Sequence, residues 1–502
     1  MNILRAFLSV GIWTFISRIL GLARDVVVAS IFGAGALMDA FFAAFRLPNT
    51  LRRFTAEGAL TQAFVPAYAA ARRENEENAA AFAGELLFVV ATFLTILSAA
   101  VALFAPQIMR VFAPGLAESD AAAAMLRVVF PYIALISVVA LLAGMLNAGR
   151  HFRAAAAAPV LLNLCMIAAA FLSSSAHSPP NIALAWGVLA GGIAQLLWAA
   201  FFVRRAGLRL RIRPRRPDAR MKSALIRMGQ SALGAGATQI NLLINLGVAS
   251  LLPAGAISWL YYADRLMELP AGILGAALAT VALPALSDDS ENAHAVLDKT
   301  LRLAAILSAP AAVGMALLAE PIVAVLFMRG AFDATDAEMT ARAVVAYSLG
   351  VVGFVALRPL AAAFFARRDA ATPAKIAVCA LILTQMCNGV FVFLLEWNHA
   401  GIALSVGIAA TFNAAALLWI LRRRVWYAPM AGWRKLCAAL AAALAAMSVA
   451  LLAARPAAEF WYSAALFPRV AALGGLVVLG AGVYFAILRI GGVRLSDFQD
   501  RP

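Results

Sequence analysis

The sequence is poor in charged residues, in histidine and in cysteine, and each shortage excludes a class of protein. Charged residues make up 13% of the 502-residue chain, against about 25% in soluble domains. Apolar runs of membrane-spanning length recur along the whole sequence, and the short alternating strands typical of an outer-membrane barrel are missing. The sequence therefore predicts an all-α polytopic membrane protein.

The scarce residues argue against a metal centre, a disulfide framework or a catalytic site. The four cysteines all lie in apolar runs, and the four histidines are scattered over different loops. The acidic cluster SDDSEN (287–292) is best explained as a solvated connector. An integral-membrane enzyme and a channel are kept as alternatives, but no cofactor or metal is expected.

Runs of basic residues fall in every second predicted loop. They concentrate at 72–73, 149–153, 204–222, 367–369 and 422–424, whereas the intervening loops are poor in Lys and Arg. Because cytoplasmic loops are rich in Lys and Arg, this alternation predicts about fourteen transmembrane helices with both termini cytoplasmic. The same topology accounts for the formal charge of +16, so nucleic acid is not expected as a partner.

Two pairs of segments indicate an internal repeat. Residues 105–133 resemble 319–349, and residues 29–42 resemble 249–262, although similar composition alone is the alternative explanation. An even number of spans per repeat gives two parallel six-helix lobes, an arrangement typical of transporters. The predicted organisation is an N-terminal lobe (1–203), a basic cytoplasmic loop (204–222), a C-terminal lobe (223–421), and two additional helices with a cytoplasmic tail (422–502).

The first predicted span carries charge in its middle. In SRILGLARD (17–25), Ser17, Arg18, Gly21, Arg24 and Asp25 fall within an arc of about 120° on a helix. Translocon scales assign about 2.5–3.5 kcal/mol to each such charge at the centre of a membrane helix. We therefore expect this stripe to face a hydrated cavity, with structural ion pairing as the alternative.

The segment 258–270 carries a similar pattern of polar residues. In 258–270, Ser258, Arg265 and Glu268 share one face with Asp264 at its edge, and Arg265 and Glu268 have the spacing of an ion pair.

The second span (38–66) is predicted to break at Pro48, next to Asn49, Arg52, Arg53 and Glu57. Ion pairing near the cytoplasmic rim is the alternative for the last three.

The excess of arginine predicts an anionic substrate. Guanidinium groups match phosphate oxygens in a bidentate manner, so the cavity is expected to receive an anionic head group. Because a charge-bearing step responds to the transmembrane voltage, the membrane potential is the expected driving force.

These segments resemble the MurJ (MviN) lipid II flippases of the multidrug/oligosaccharidyl-lipid/polysaccharide exporter superfamily. The resemblance is carried by SRILGLARD (17–25), by 38–66, 130–163 and 258–287, and by the span around 342–376. It covers essentially the whole chain. It implies a multi-pass protein of the bacterial inner membrane that moves the undecaprenyl-pyrophosphate-linked peptidoglycan precursor to the outer leaflet. An exporter of another lipid-linked oligosaccharide is the first alternative, and a membrane enzyme acting on polyprenyl-linked sugars is the second.

The resemblance also implies partners and site residues. Its partners would be lipid II, membrane lipids and the cell-wall synthesis machinery, and its last two spans would form a groove for the lipid tail. It implies that the central cavity is lined or gated by Ser17, Arg18, Arg24, Asp25, Asp39, Asn49, Arg52, Ser258, Arg265 and Glu268. The pattern above adds Arg53, Glu57 and Asp264.

One departure concerns sodium. Some members of the family bind this ion with an acidic residue on the seventh span. Here that span offers Asn241 and Asn245, and the eleventh span offers Thr384 and Asn388, without a carboxylate. This leaves a sodium site in doubt.

Overall fold

The computed structural model describes residues 3–53, 60–174, 180–211, 219–287 and 292–493, and these ranges contain helices and connecting turns but no β-strand. The all-α prediction is thereby confirmed. In chain order the helices are α1 (Ile3–Phe32), α2 (Ala36–Arg52), α3 (Leu60–Glu74), α4 (Glu76–Leu103), α5 (Ala105–Phe112), α6 (Ser119–Val129), α7 (Tyr132–Ala148), α8 (Phe152–Ser174), α9 (Pro180–Arg205), α10 (Ala219–Ser250), α11 (Ala256–Ser287), α12 (Asn292–Leu317), α13 (Ala319–Leu326), α14 (Ala334–Ser348), α15 (Val351–Ala366), α16 (Ala371–Asn388), α17 (Asn398–Arg423), α18 (Trp433–Ala454), α19 (Ala458–Ser463) and α20 (Leu466–Ile490).

Many of these helices are long and apolar enough to cross a bilayer. Within the described ranges, nine spans meet that criterion, or ten if α14 and α15, bent by 45°, count as one span. The remaining long helices α1, α10 and α11 and the shorter α2 carry most of the polar residues singled out in the sequence. The chain is a multi-pass membrane protein, and the number fourteen stays a prediction.

The helices cluster into two compact units, Met1–Ser258 and Trp259–Pro502. In the first unit, α8 packs against α1 and α9. Polar side chains contribute to this packing, since Gln195 Nε2 donates to the Ala158 carbonyl at 3.1 Å and Trp198 Nε1 donates to the Ala154 carbonyl at 2.9 Å. Such interhelical bonds add to van der Waals packing in a lipid environment, where apolar burial contributes little.

The second unit contains a close contact between α15 and α17. A Cβ placed on Gly350, just before α15, would lie 2.4 Å from Gly407 Cα, and one on Gly353 would lie 2.7 Å from Thr411 Cα. Only glycine permits backbones to approach so closely. The last two spans α18 and α20 pack on each other and on α12 and α13 within this unit. The predicted lobe boundaries at 203 and 223 stay predictions.

The connection from α17 to α18 is fixed by a carboxylate that sequence reasoning did not single out. Asp298 on α12 is 1% exposed and accepts hydrogen bonds from Arg302 Nε at 2.7 Å, Tyr427 Oη at 2.6 Å and Trp433 Nε1 at 2.7 Å. The Met430 amide lies 3.2 Å from the same carboxylate. These bonds meet the requirement that a buried charge be paired and hydrogen-bonded.

Candidate functional site

The middle of α1 carries a buried ion pair. Arg24 and Asp25 are 7% and 3% exposed, and Arg24 Nη2 lies 2.7 Å from Asp25 Oδ1 with Nε at 3.0 Å from the same oxygen. A charge placed at this depth is tolerated when it is paired and hydrogen-bonded. In this conformation Arg24 and Asp25 therefore form a structural ion pair, which was the alternative to facing a hydrated cavity.

The same guanidinium joins α1 to α8. Arg24 Nη1 donates to Asn163 Oδ1 at 3.0 Å, and Asn163 Nδ2 donates to the Ser17 carbonyl at 3.2 Å. Gly21 lies opposite, where a Cβ would come 3.9 Å from Asn163 Nδ2. Asn163 was missed by sequence reasoning, although an isolated amide in the apolar run VLLNLCM was a usable signal.

Arg18 lies about two turns before Asp25 on the same stripe of α1, but in a different environment. Its side chain is exposed, whereas Ser17 is half-buried. Within the described part of the chain, the side chain of Arg18 forms no ion pair or hydrogen bond. The predicted polar stripe is therefore divided between a buried, neutralised half and an exposed cation.

The second span differs from the prediction at Pro48. The break was expected there, but α2 continues through Pro48 to Arg52, and α3 begins at Leu60. Proline within a membrane helix is tolerated when neighbouring groups satisfy the freed carbonyl. Near the end of α2, Arg52 Nε donates to Asn49 Oδ1 at 3.2 Å, and Arg53 is half-buried. Glu57 lies outside the described residues.

The predicted pair on α11 is present. Arg265 Nη1 donates to Glu268 Oε2 at 3.0 Å, and Nη2 donates to Tyr261 Oη at 3.2 Å. The guanidinium carbon also lies 4.9 Å from the centre of the Tyr261 ring. The side chains of Arg265 and Glu268 are 30% and 46% exposed, and Asp264 beside them is half-buried. This pair is therefore partly exposed, unlike the buried pair on α1.

Asp39 fastens α2 to the start of α11. One oxygen of its carboxylate, which belongs to a residue only 4% exposed, accepts from the Gly255 amide at 2.7 Å. The other accepts from the Ser258 amide at 2.8 Å and from Ser258 Oγ at 2.6 Å. An anion at a helix N-terminus is favoured by the free amides and the helix dipole. The turns GAGA (33–36) and PAGA (253–256) adjoin this contact.

A second backbone contact lies close by in the chain. The Gly115 amide donates to Ser250 Oγ at 3.2 Å, and a Cβ on Gly115 would lie 2.5 Å from the Ser250 carbonyl oxygen. The end of α10 and the turn after α5 therefore approach closely, with no room for a side chain at position 115.

The residues considered as sodium ligands are amides and a hydroxyl, not carboxylates. Asn245 and Thr384 are buried, and Thr384 Oγ1 donates to the Ala380 carbonyl at 2.8 Å. Across the described ranges, no group of three or more His, Cys, Asp and Glu side chains could hold a metal ion.

Comparison with known proteins decides the family. A sequence profile described as "Lipid II flippase MurJ" matches residues 28–471. The chain belongs to the lipid II flippase MurJ family. The lipid II flippase MurJ of Burkholderia cenocepacia is 39% identical over 100% of both chains, and a probable lipid II flippase MurJ of Vibrio cholerae is 36% identical over 99% of this chain and 98% of its own.

Solved structures agree with this assignment. A MurJ structure in an inward closed conformation has a TM-score of 0.81 at 25% identity, covering 96% of this chain and 98% of its own. An inward-facing MATE transporter of the MOP superfamily has a TM-score of 0.69 at 16% identity, covering 81% and 94%. The second match shows a shared fold. Membership of this family makes the chain a transporter and decides against the enzyme alternative.

The α1 ion pair predicts different consequences for two nearby arginines. Arg24→Ala removes the guanidinium that pairs with the buried Asp25 carboxylate, so we expect a loss of about 3–5 kcal/mol in stability. Arg24→Ala/Asp25→Ala should recover much of that loss. The matched control Arg18→Ala removes an exposed cation and should change stability by about 0.5 kcal/mol or less. Thermal unfolding of the purified variants in detergent measures both, and equal losses for Arg24→Ala and Arg18→Ala would contradict this structural role.

Proposed function

We propose that the chain is a lipid II flippase. It moves the undecaprenyl-pyrophosphate-linked peptidoglycan precursor from the cytoplasmic to the outer leaflet of the bacterial inner membrane. The observation that carries this proposal is the similarity to a lipid II flippase at 39% identity over the full length of both chains. Transport by alternating access is supported by the likeness to an inward-facing transporter of the same superfamily.

The exposed arginines are proposed to bind the anionic head group. Arg18 has no acidic partner among the described residues, and Arg265 has a water-accessible partner in Glu268. An exposed ion pair contributes little stability, so a pyrophosphate can replace Glu268 as the partner of Arg265 at little cost. Arg24 holds α1 on α8, and its proposed contribution is to position the stripe that bears Ser17 and Arg18.

The membrane potential is proposed to drive one step of the cycle. Moving one elementary charge through 100 mV is worth about 2.3 kcal/mol. Because Asp25 neutralises Arg24 and Glu268 neutralises Arg265, Arg18 is the cation of this set that the voltage would act on in the empty carrier. An interior-negative potential favours the inward return of that charge, and the negative charges of bound pyrophosphate offset it for the outward step. A coupling sodium ion forms no part of this proposal.

Transport in proteoliposomes tests the substrate and the arginines together. Fluorescent lipid II should become accessible to an external reagent with the wild type. Arg18→Ala and Arg265→Ala should reduce its rate to background, because each removes a phosphate partner. Lysine at either position should restore part of the rate if a point charge suffices, and none if the bidentate fork is required. Arg127→Ala, which removes an exposed arginine bonded to a backbone carbonyl, is the control and should transport normally.

Three results in this assay would contradict different parts of the proposal. Equal transport of lipid II and another undecaprenyl-pyrophosphate glycan would replace lipid II by the broader substrate class. Wild-type rates in both alanine variants would remove the arginines from the site. Collapsing a potassium diffusion potential should slow the wild type, and an unchanged rate would exclude the potential as the driving force.

The Asp39 contact is proposed to act as a gate that opens once per cycle. It holds the GAGA turn (33–36) beside the PAGA turn (253–256), on the side that the charge pattern predicts to be outer. In a variant without native cysteines, Ala34→Cys/Ala254→Cys treated with a reducible bifunctional thiol reagent should stop transport, and reductant should restore it. Each single-cysteine variant given the same reagent is the control. Full activity while cross-linked would show that this gate need not open.

Both termini are proposed to lie in the cytoplasm. The basic loop 204–222 would then be cytoplasmic, and the base-poor loops 114–119 and 332–338 would face outward. Single cysteines in the two base-poor loops should react with an impermeant thiol reagent applied to intact cells, whereas a cysteine in the basic loop should react only after permeabilisation. The reverse pattern of labelling would invert the direction of export.

A further inference from the structure

The second unit contains a polar cavity outside the residues discussed so far. Its volume is about 540 Å³, which is within the size range of small-molecule sites. It lies where two membrane-length helices end, since Glu320 follows α12 and Arg455 directly follows α18. Its charged and aromatic lining comprises Glu320, Glu338, Arg342, Arg455 and Tyr462. The cavity therefore lies at the end of two spans, at the level where a bilayer places its head groups.

One wall of the cavity is fixed by several bonds. Arg455 Nη2 donates to Glu320, and its Nη1 donates to the Leu317 carbonyl at 2.9 Å. The Tyr462 hydroxyl hydrogen-bonds to Glu320, and burial together with that carboxylate raises the pKa of Tyr462. Because Arg455 and Glu320 are each about three-quarters buried and multiply bonded, this wall is a scaffold that a ligand would not displace.

The opposite wall is an open ion pair on α14. Arg342 Nη2 donates to Glu338 Oε1 at 2.6 Å, and the two side chains are 58% and 52% exposed. An exposed pair four residues apart on a helix contributes little to stability. Each side chain can therefore leave the other and bind a ligand instead. The cavity thus offers one available cation, Arg342, and one available anion, Glu338.

Apolar surface continues from the cavity along the helices. Val345 lines it, and Val345 and Leu349 are 42% and 67% exposed on the same face of α14 as Arg342. On α18, Leu452 is 59% exposed one turn before Arg455. Charged groups of both signs next to exposed apolar surface match an amphiphile with a zwitterionic head.

We propose that this cavity binds the head group of an aminophospholipid. The lipid phosphate lies against Arg342 and the primary ammonium lies against Glu338, with the acyl chains along Val345 and Leu452. A phosphate accepts charge-assisted bonds from a guanidinium, and an ammonium donates to a carboxylate. Bound lipid would tie α14 to the segment between α18 and α19. This inference stands whether or not lipid II is the transported substrate.

Competition among lipids in native mass spectrometry tests the proposal. The purified, delipidated full chain is mixed with equimolar phosphatidylethanolamine, phosphatidylcholine and phosphatidylglycerol of the same acyl chains. Phosphatidylcholine lacks ammonium N–H donors and phosphatidylglycerol lacks the cation. We expect phosphatidylethanolamine to be retained about tenfold better than either, a preference of about 1.4 kcal/mol. Equal occupancy by the three lipids would overturn the proposal.

Two variants of the open pair separate the two contacts. Glu338→Gln should abolish the preference for phosphatidylethanolamine over phosphatidylglycerol, and Arg342→Gln should weaken retention of phosphatidylethanolamine itself. Both residues are exposed, so the fold is expected to persist. Arg127→Gln, an exposed arginine on α6 in the other unit, is the matched control and should behave as wild type.

A soluble competitor identifies the source of the head group. O-Phosphoethanolamine carries the same phosphate and ammonium without acyl chains, so it should displace the lipid only weakly. Displacement at equal affinity would overturn a lipid occupant, and unchanged lipid preference in both variants would place the binding elsewhere.

Discussion

Inside a bilayer, a charged side chain must be paired, hydrated or carried to the interface, and the rest of this structure depends on that constraint. Arg24 and Asp25 satisfy it by pairing with each other and with an amide on α8. Arg265 and Glu268 pair at a surface that stays accessible. Arg18 has no acid beside it in the described ranges and is exposed. The three arrangements differ in how readily a new anion could enter them, and this difference separates structural charges from those available to a substrate.

Backbone contacts are the second basis of the fold. Lipid tails are as apolar as leucine, so helices associate through close approach and interhelical bonds. Gly350 and Gly353 on one helix meet Gly407 and Thr411 on another, and Gly115 meets the backbone at Ser250. The contacts of Asp39 with the Gly255 amide and Ser258 differ from these close backbone contacts, because they are polar. Water can take the place of the carboxylate on those amides when the helices separate.

Sequence reasoning predicted the class of protein and many of the polar residues, but not which of them would meet. Hydropathy and loop charge indicated a polytopic helical protein, and three-residue spacing predicted the Arg265–Glu268 pair, because both signals are local. The partner of Arg24 on α8, Asn163, is distant in the chain and belongs to no periodic pattern. The break predicted at Pro48 was wrong, because α2 continues through the proline to Arg52. Asp298 was missed for a related reason, since its partners Tyr427 and Trp433 lie far along the chain.

The carboxylate of Asp298 has a mechanical consequence. It binds its own helix through Arg302 and, at the same time, the connection that leads to the last two spans. Such a joint resists bending, because any rotation of α18 about that connection would break bonds to a fully buried charge. A displacement of α12 would therefore displace α18 as well. The last two spans would then move with the second unit as a rigid body.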